Sequence, residues 1–190
     1  MSEAGGERLK YIVEALLFAS PLPLPAASLA RAAGEEYNEA EVKRALLELG
    51  EEYEREGRGM VLRRAAGGYR LVSAPRYAEY VERLAPVSKK RPLTAAALET
   101  LAIVAYKQPV TKAKIDSIRG ANSEGTLRTL LERRLIAPMG RSEEPGRPML
   151  YGTTREFLLY FGLDSLDDLP REKDFPATAA GERQDEKEEG

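Results

Sequence analysis

The chain has no cysteine, no histidine and no tryptophan among its 190 residues. Without thiols there is no disulfide and no thiolate nucleophile, and without imidazole there is no Ser-His or Cys-His pair and no Cys/His zinc site. Long apolar runs are missing too. No stretch approaches the ~18 uncharged residues of a membrane-spanning helix, and the N-terminus opens on Ser2, Glu3 and Glu7 rather than on a basic segment before an apolar one. A cytoplasmic chain with no membrane association is expected. No Gly-rich loop of the phosphate-cradling kind is present. Carboxylates are plentiful, at 31 Asp and Glu, yet pairs such as Glu51 with Glu52, Glu143 with Glu144 and Asp167 with Asp168 occupy surface-like or turn positions. General acid–base work needs carboxylates that converge in a partly desolvated site. Hence no enzymatic activity, cofactor, metal or small-molecule substrate is expected.

What is present is a globular composition, 43% hydrophobic against 32% charged, at a length that suits two small domains. The formal net charge of −2 hides an asymmetry along the chain. Met1 to Val87 holds 12 basic and 14 acidic residues, Ser88 to Arg155 holds 13 and 6, and Glu156 to Gly190 holds 4 and 11. The net charges are therefore −2, +7 and −7. A basic middle suits nucleic acid or an acidic protein partner, and an acidic end suits a solvating tail or a competitor for that basic surface.

The apolar positions Leu9, Ile12, Val13, Leu16 and Leu17 follow helical spacing and predict a first helix ending near Ser20. Pro21, Pro23 and Pro25 then enforce an extended connection, with Leu24 tucked beneath it. A short helix over 26–33 is stopped by Gly34. Asn38 caps a third helix that turns Val42, Leu46, Leu49 and Tyr53 inward. Met60 to Arg63 and Tyr69 to Val72, joined by a turn at Gly67 and Gly68, read as a hairpin, and a further helical segment runs from Arg76 to Leu84. Three helices followed by a hairpin is the winged-helix order.

The same order returns after Lys89, Lys90, Arg91 and Pro92. Thr94 caps a helix predicted to bury Leu98, Leu101, Ala102 and Ala105, and Pro109 breaks it. A second helix begins at Thr111, buries Ile115 and Ile118 and stops at Gly120. A third begins at Ser123 with Leu127, Leu130 and Leu131 on one stripe. The segments 135–139 and 149–152 form a two-stranded wing around the polar tip Glu143 to Pro148. Phe157, Leu158, Tyr160, Phe161 and Leu163 predict a closing helix, extended by Leu166 and Leu169. The stretch beyond Pro170 has too little apolar surface to offset the entropy of ordering. The expected fold class is mainly α with small β-hairpins (α+β). It comprises an N-terminal winged-helix domain over 1–87, a linker over 88–93, a C-terminal winged-helix domain over 94–170 and a disordered acidic tail over 171–190.

The run ALETLAIVAYKQPVTKAKIDSIRG from Ala97, its continuation to Gly162, the opening KYIVEALLFAS and the SLDDLP at Ser165 to Pro170 resemble the segregation and condensation protein B (ScpB) family. Lys114, Arg134 and Ser142 depart from the family pattern at positions where an acidic residue, a glycine and a lysine are common. The resemblance implies a non-enzymatic homodimer that binds the kleisin ScpA and, through it, the SMC ATPase. It places the protein in the cytoplasm, associated with the nucleoid through that complex. Dimerisation falls to the first domain, with Leu9, Ile12, Val13 and Leu16 as candidates, and kleisin binding to the second.

The candidate kleisin contacts start with Tyr106, Lys107, Gln108 and Pro109, a helix end and forced turn where an exposed tyrosine suits a partner. Tyr106 can equally cap the core. Ile115 and Arg119 on the next helix join them. In the wing, Gly146, Arg147 and Pro148 serve as a turn, or Arg147 grips carboxylates bidentately, with Tyr151 either in the core or supporting that arginine. The alternative function is a winged-helix transcription regulator whose helix from Ser123 to Arg134 reads DNA. Its leucines belong to the core, however, and Glu124 and Glu132 would face phosphates. DNA contact is expected to be weak and non-specific, and a tail cut after Pro170 to leave kleisin binding intact.

Overall fold

The computed structural model describes residues 3–84, 92–171 and 174. Most of the expected linker and all but Arg171 and Asp174 of the expected tail lie outside the described residues. Eight α-helices and five short strands are formed among the described residues, and all strand pairing is antiparallel.

The first half follows the predicted order. Helices α1 (Glu3–Ala19), α2 (Ala26–Ala33) and α3 (Glu39–Arg55) precede strands β1 (Met60–Ala65) and β2 (Gly68–Ser73). The prolines end α1 where expected. Asn38 starts α3 with a full capping box: its side chain accepts from the Glu41 amide and Glu41 reaches back to the Asn38 amide, both at 3.0 Å. Leu9, Val13, Leu17, Leu29, Val42, Leu46, Leu49 and Tyr53 close one core. Leu24 is fixed over it by reciprocal backbone bonds with Tyr69 at 2.9 Å. This contact explains Gly68, which lies in β2 rather than in the turn. A Cβ there would meet the Pro23 and Leu24 backbones at 2.9 Å. The turn itself is Ala66–Gly67, and both amides donate to a loop of the second half, to the Leu163 and Asp164 carbonyls at 2.8 and 3.0 Å. A 3-10 turn over Pro75–Tyr77 leads into α4 (Ala78–Leu84), which buries no residue.

The second half contains α5 (Ala95–Lys107), β3 (Val110–Thr111), α6 (Lys112–Arg119), α7 (Glu124–Glu132), β4 (Ile136–Arg141), β5 (Met149–Thr153) and α8 (Arg155–Phe161). The wing has one strand more than expected, because Val110 and Thr111 pair with Tyr151 and Leu150, giving the order β3-β5-β4. Its core gathers Leu101, Val104, Ile115, Leu127, Leu130, Leu135, Ile136 and Phe157, and is separate from the first core. Two sequence expectations fail here. Helix α5 buries Ala97, Thr100, Leu101, Val104 and Ala105 and leaves Leu98 and Ala102 outside. On α6 only Ile115 is buried, while Ile118 is 45% exposed.

Arg134 follows α7 with φ at +58°, the left-handed region that favours glycine. Its side chain is exposed. Arg134→Gly is therefore expected to raise unfolding free energy by about 0.5–1 kcal/mol, the relief of strain outweighing the added freedom of the unfolded chain. Urea titration of both chains checks this.

Candidate functional site

Helix α5 is apolar on two sides. One stripe, Ala97, Leu101, Val104 and Ala105, belongs to the core; the other, Leu98, Ala102 and Tyr106, recurs every fourth residue on the outer side. Ala102 and Tyr106 of that outer stripe, with Ile103, form one wall of a surface groove of about 690 Å³. Ile118 of α6 forms the far wall, and Leu166, Leu169 and Pro170, after α8, close its end. The Tyr106 hydroxyl donates to the Pro170 carbonyl at 2.7 Å and holds that closing segment in place. The segment is itself locked by Ser165 and Asp168, which cap its 3-10 turn reciprocally. Lys107, Asp167 and Arg171 stand at the rim. An apolar floor with a charged rim is the chemistry that receives an amphipathic helix.

The placement of α6 depends on Asp116. Its carboxylate accepts from the Lys112 ammonium at 2.6 Å, from the Ser123 amide at 2.8 Å and from the Ser123 hydroxyl. The Lys112 ammonium and the Ser123 donors hold the Asp116 carboxyl down to about 2. Ser123 thus begins α7 without a side-chain cap, its hydroxyl being engaged by Asp116. A carboxyl whose folded pKa lies below its ordinary value of 3.8 contributes stability above that value and loses it as pH falls through about 2. Between pH 4 and 2, the urea midpoint of the natural chain is expected to fall more steeply than that of Asp116→Asn. Parallel slopes would show that the pair does not couple to folding.

The expected kleisin contacts divide. Tyr106 and Lys107 line the groove, and Pro109 is exposed just beyond it. Gln108 is not available as a contact, because its amide oxygen accepts from the Thr153 amide at 2.7 Å and hydroxyl at 3.0 Å, and its nitrogen donates to the Ala105 carbonyl. Ile115 is wholly buried and cannot touch a partner. Arg119 is a brace rather than a free contact: its side chain is 8% exposed and pairs with Glu99 of α5 at 3.3 Å. Arg147 is exposed at the wing tip with φ at +44°, Pro148 is half-buried beside it, and Tyr151 packs partly on the core, so none of the three lines the groove.

In the first half, Leu9 and Val13 are core residues and do not form a dimer surface. Leu16 packs half-buried on the same core, and Ile12 lines a shallow depression with Glu7, Arg8, Tyr11 and Ala15. The apolar side chains that α1 and its exit do expose are Tyr11, Phe18 and Leu22, at 53%, 76% and 53%. Sequence reasoning passed over them, although the spacing 11, 15, 18 carries the helical signal of a second face on α1.

The geometry defines a class: a helix-rich α+β protein with small antiparallel hairpins and an open apolar groove of the shape that receives a polypeptide. The family model described as segregation and condensation complex subunit ScpB matches residues 11–172. Segregation and condensation protein B of Syntrophotalea carbinolica is 52% identical over 167 residues, covering 88% of this chain and 83% of its own length. The chain belongs to the ScpB family of segregation and condensation complex subunits. Among solved structures, ScpB from Mycobacterium tuberculosis is 38% identical over 83% of this chain and 97% of its own, with a TM-score of 0.40. A dimer of an ScpB N-terminal domain complexed with an ScpA peptide is 34% identical over 45% of this chain and 97% of its own, also at 0.40.

Proposed function

We propose that this chain is a non-enzymatic adaptor of the SMC–ScpA–ScpB complex, supporting chromosome condensation and segregation. It works in the cytoplasm at the nucleoid and binds the kleisin ScpA as a homodimer. The observation that carries the reading is the groove between α5 and α6: Ala102, Tyr106, Ile118, Leu166 and Leu169 supply an apolar seat with no other assigned occupant. An amphipathic kleisin helix presents anchors at i, i+3, i+4 and i+7 to such a seat, and Lys107 at the rim favours an acidic flank. The SMC ATPase is reached through ScpA.

The first half, residues 1–87, supplies the dimer contact through the outer face of α1, where Tyr11, Ile12 and Phe18 lie, and residues 94–170 supply the kleisin seat. The strongly shifted titratable groups support the non-enzymatic reading. Asp116 braces α6 to α7, and the Tyr53 hydroxyl, pushed up to about 12 by burial and its bond to Glu14, braces α3 to α1. Neither lines the groove. On α7 the exposed Arg128 pairs with Glu132 at 3.0 Å, and duplex contact in this reading is weak, non-specific phosphate attraction.

Light scattering during size exclusion tests the reading. The chain alone is expected to elute with twice its 21.0 kDa mass and to shift to a stable larger species with ScpA of the same genome. A monomer that ignores ScpA would overturn it, and sequence preference over random duplex at physiological salt would then point to the regulator.

A further inference from the structure

The tip of the β1–β2 hairpin carries donors that the hairpin itself does not use. Its ladder closes at the Ala65–Gly68 pair, and the two residues between them, Ala66 and Gly67, take positive φ at +51° and +74°, as a two-residue hairpin turn requires. Their amides lie outside the ladder and need water or another acceptor. Here the acceptors come from the other half of the chain. The Ala66 amide donates to the Leu163 carbonyl at 2.8 Å, and the Gly67 amide to both the Asp164 carbonyl and its carboxylate, each at 3.0 Å. That carboxylate also pairs with Arg64 of β1 at 2.5 Å. A second tie joins the start of α8 to the proline connection, where Arg155 donates to the Pro23 carbonyl at 3.0 Å.

Asp164 is thus held from two directions. Its carbonyl and carboxylate engage the first half, while its own amide donates to the Asp168 carboxylate at 2.8 Å. Asp168 caps the 3-10 turn that carries Leu166 into the groove, and Leu169 and Pro170 of the same segment complete the closed end. One short segment therefore binds the first half at its beginning and walls the groove at its end.

We infer that Asp164 is a positioning residue for the kleisin seat: it docks the hairpin of the first half against the segment that closes the groove, so that docking and partner binding favour each other. This rests on the groove being the kleisin seat. The ion pair alone contributes little, since Arg64 is 61% exposed. Specificity comes from the turn amides, whose bonds to Leu163 and Asp164 form only when the hairpin tip meets the segment in one orientation. Coupling of this kind is reciprocal, and each event strengthens the other by the same factor.

Hydrogen exchange of the full-length chain reads docking without any partner. The Ala66 and Gly67 amides are expected to exchange at least about tenfold more slowly than free turn amides. Arg64→Glu sets a carboxylate against Asp164 and is expected to remove that protection. Combining it with Asp164→Lys is expected to restore the protection, which a chain that had failed to fold would not do. Unprotected turn amides in the natural chain overturn the docking. Titration with ScpA then reads the coupling. Arg64→Glu is expected to weaken binding about five- to tenfold, and saturating ScpA to slow exchange at the two turn amides of the natural chain by a similar factor. A merely structural role for Asp164 moves neither quantity, and unchanged affinity in Arg64→Glu with protection lost overturns the coupling. Failure of the groove reading shows separately: if Ile118→Glu leaves ScpA affinity unchanged, Asp164 has no kleisin seat to position, while the turn amides still decide the docking.

Discussion

Ile115→Ala is expected to lower unfolding free energy by about 2–5 kcal/mol, the range for truncating a buried aliphatic side chain whose surroundings relax only in part. Ile115 has no exposed surface and belongs to the core that also holds Leu101, Val104, Leu127, Leu130 and Phe157. Helix α6 is held to the start of α7 by the Asp116–Ser123 bonds and to α5 by the Arg119–Glu99 pair, so the space left by the removed carbons is not closed by that helix sliding inward. Set against the ~5–15 kcal/mol that holds a small domain together, this loss is severe. At a temperature where the variant remains folded, its affinity for ScpA is expected to stay within about twofold of the natural chain, since the groove wall is untouched. Urea titration read by circular dichroism, with ScpA titration at low temperature, checks both halves. An unchanged urea midpoint would remove Ile115 from the core, and a large loss of affinity in the folded variant would restore it as a contact.

Legibility in the sequence was greatest where one residue has only one conformational use. Pro21, Pro23 and Pro25 end α1, Gly34 ends α2 and Asn38 begins α3, each from backbone chemistry that tertiary packing did not override. Thr94 and Thr111 likewise cap α5 and α6. The spacing of Val42, Leu46, Leu49 and Tyr53 identified the inner face of α3 because most of the rest of that helix is charged. Helix α5 offers no such contrast: with apolar residues on both sides, periodicity does not tell the core stripe from the groove stripe, and Leu98 and Ala102 were assigned inward. The two-strand wing missed β3 for a different reason, since two residues pairing across the chain leave no local pattern.

The site was legible in outline and misread in detail. Tyr106 and Lys107, singled out from the helix end they occupy, line the groove. Gln108 looked equally exposed in sequence, and only the fold brings Thr153 against it to consume its amide. Arg119 looked like a surface cation, because nothing local reveals that Glu99 of α5 lies alongside. On α1, strong hydrophobicity at Leu9 and Val13 marked the core, while the exposed apolar face consists of the residues left over, Tyr11 and Phe18. Buried and exposed apolar stripes share one period, and they are told apart by what packs on them.

The neighbouring isoleucine carries the opposite expectation. Ile118 lies three residues beyond Ile115, yet it is 45% exposed and forms the groove wall opposite Tyr106. Ile118→Glu removes an apolar wall and sets a carboxylate where a partner's apolar face would be buried, so binding would have to desolvate an unpaired charge. Loss of a central anchor costs 2 kcal/mol or more at hot spots, and ScpA affinity is accordingly expected to fall at least about thirtyfold. The helix tolerates the change, because glutamate is a good helix former and the position faces water in the unbound chain, so the urea midpoint is expected to move little. Calorimetric titration of ScpA into both chains reads the effect. Because α5 and α6 are adjacent and Tyr106 also holds Pro170, Tyr106→Phe separates the groove's two layers: it keeps the apolar wall and deletes only the bond to the closing segment. Severe loss in Ile118→Glu with a small change in Tyr106→Phe would locate binding on the apolar floor. Equal affinities in all three chains would place the kleisin on another surface.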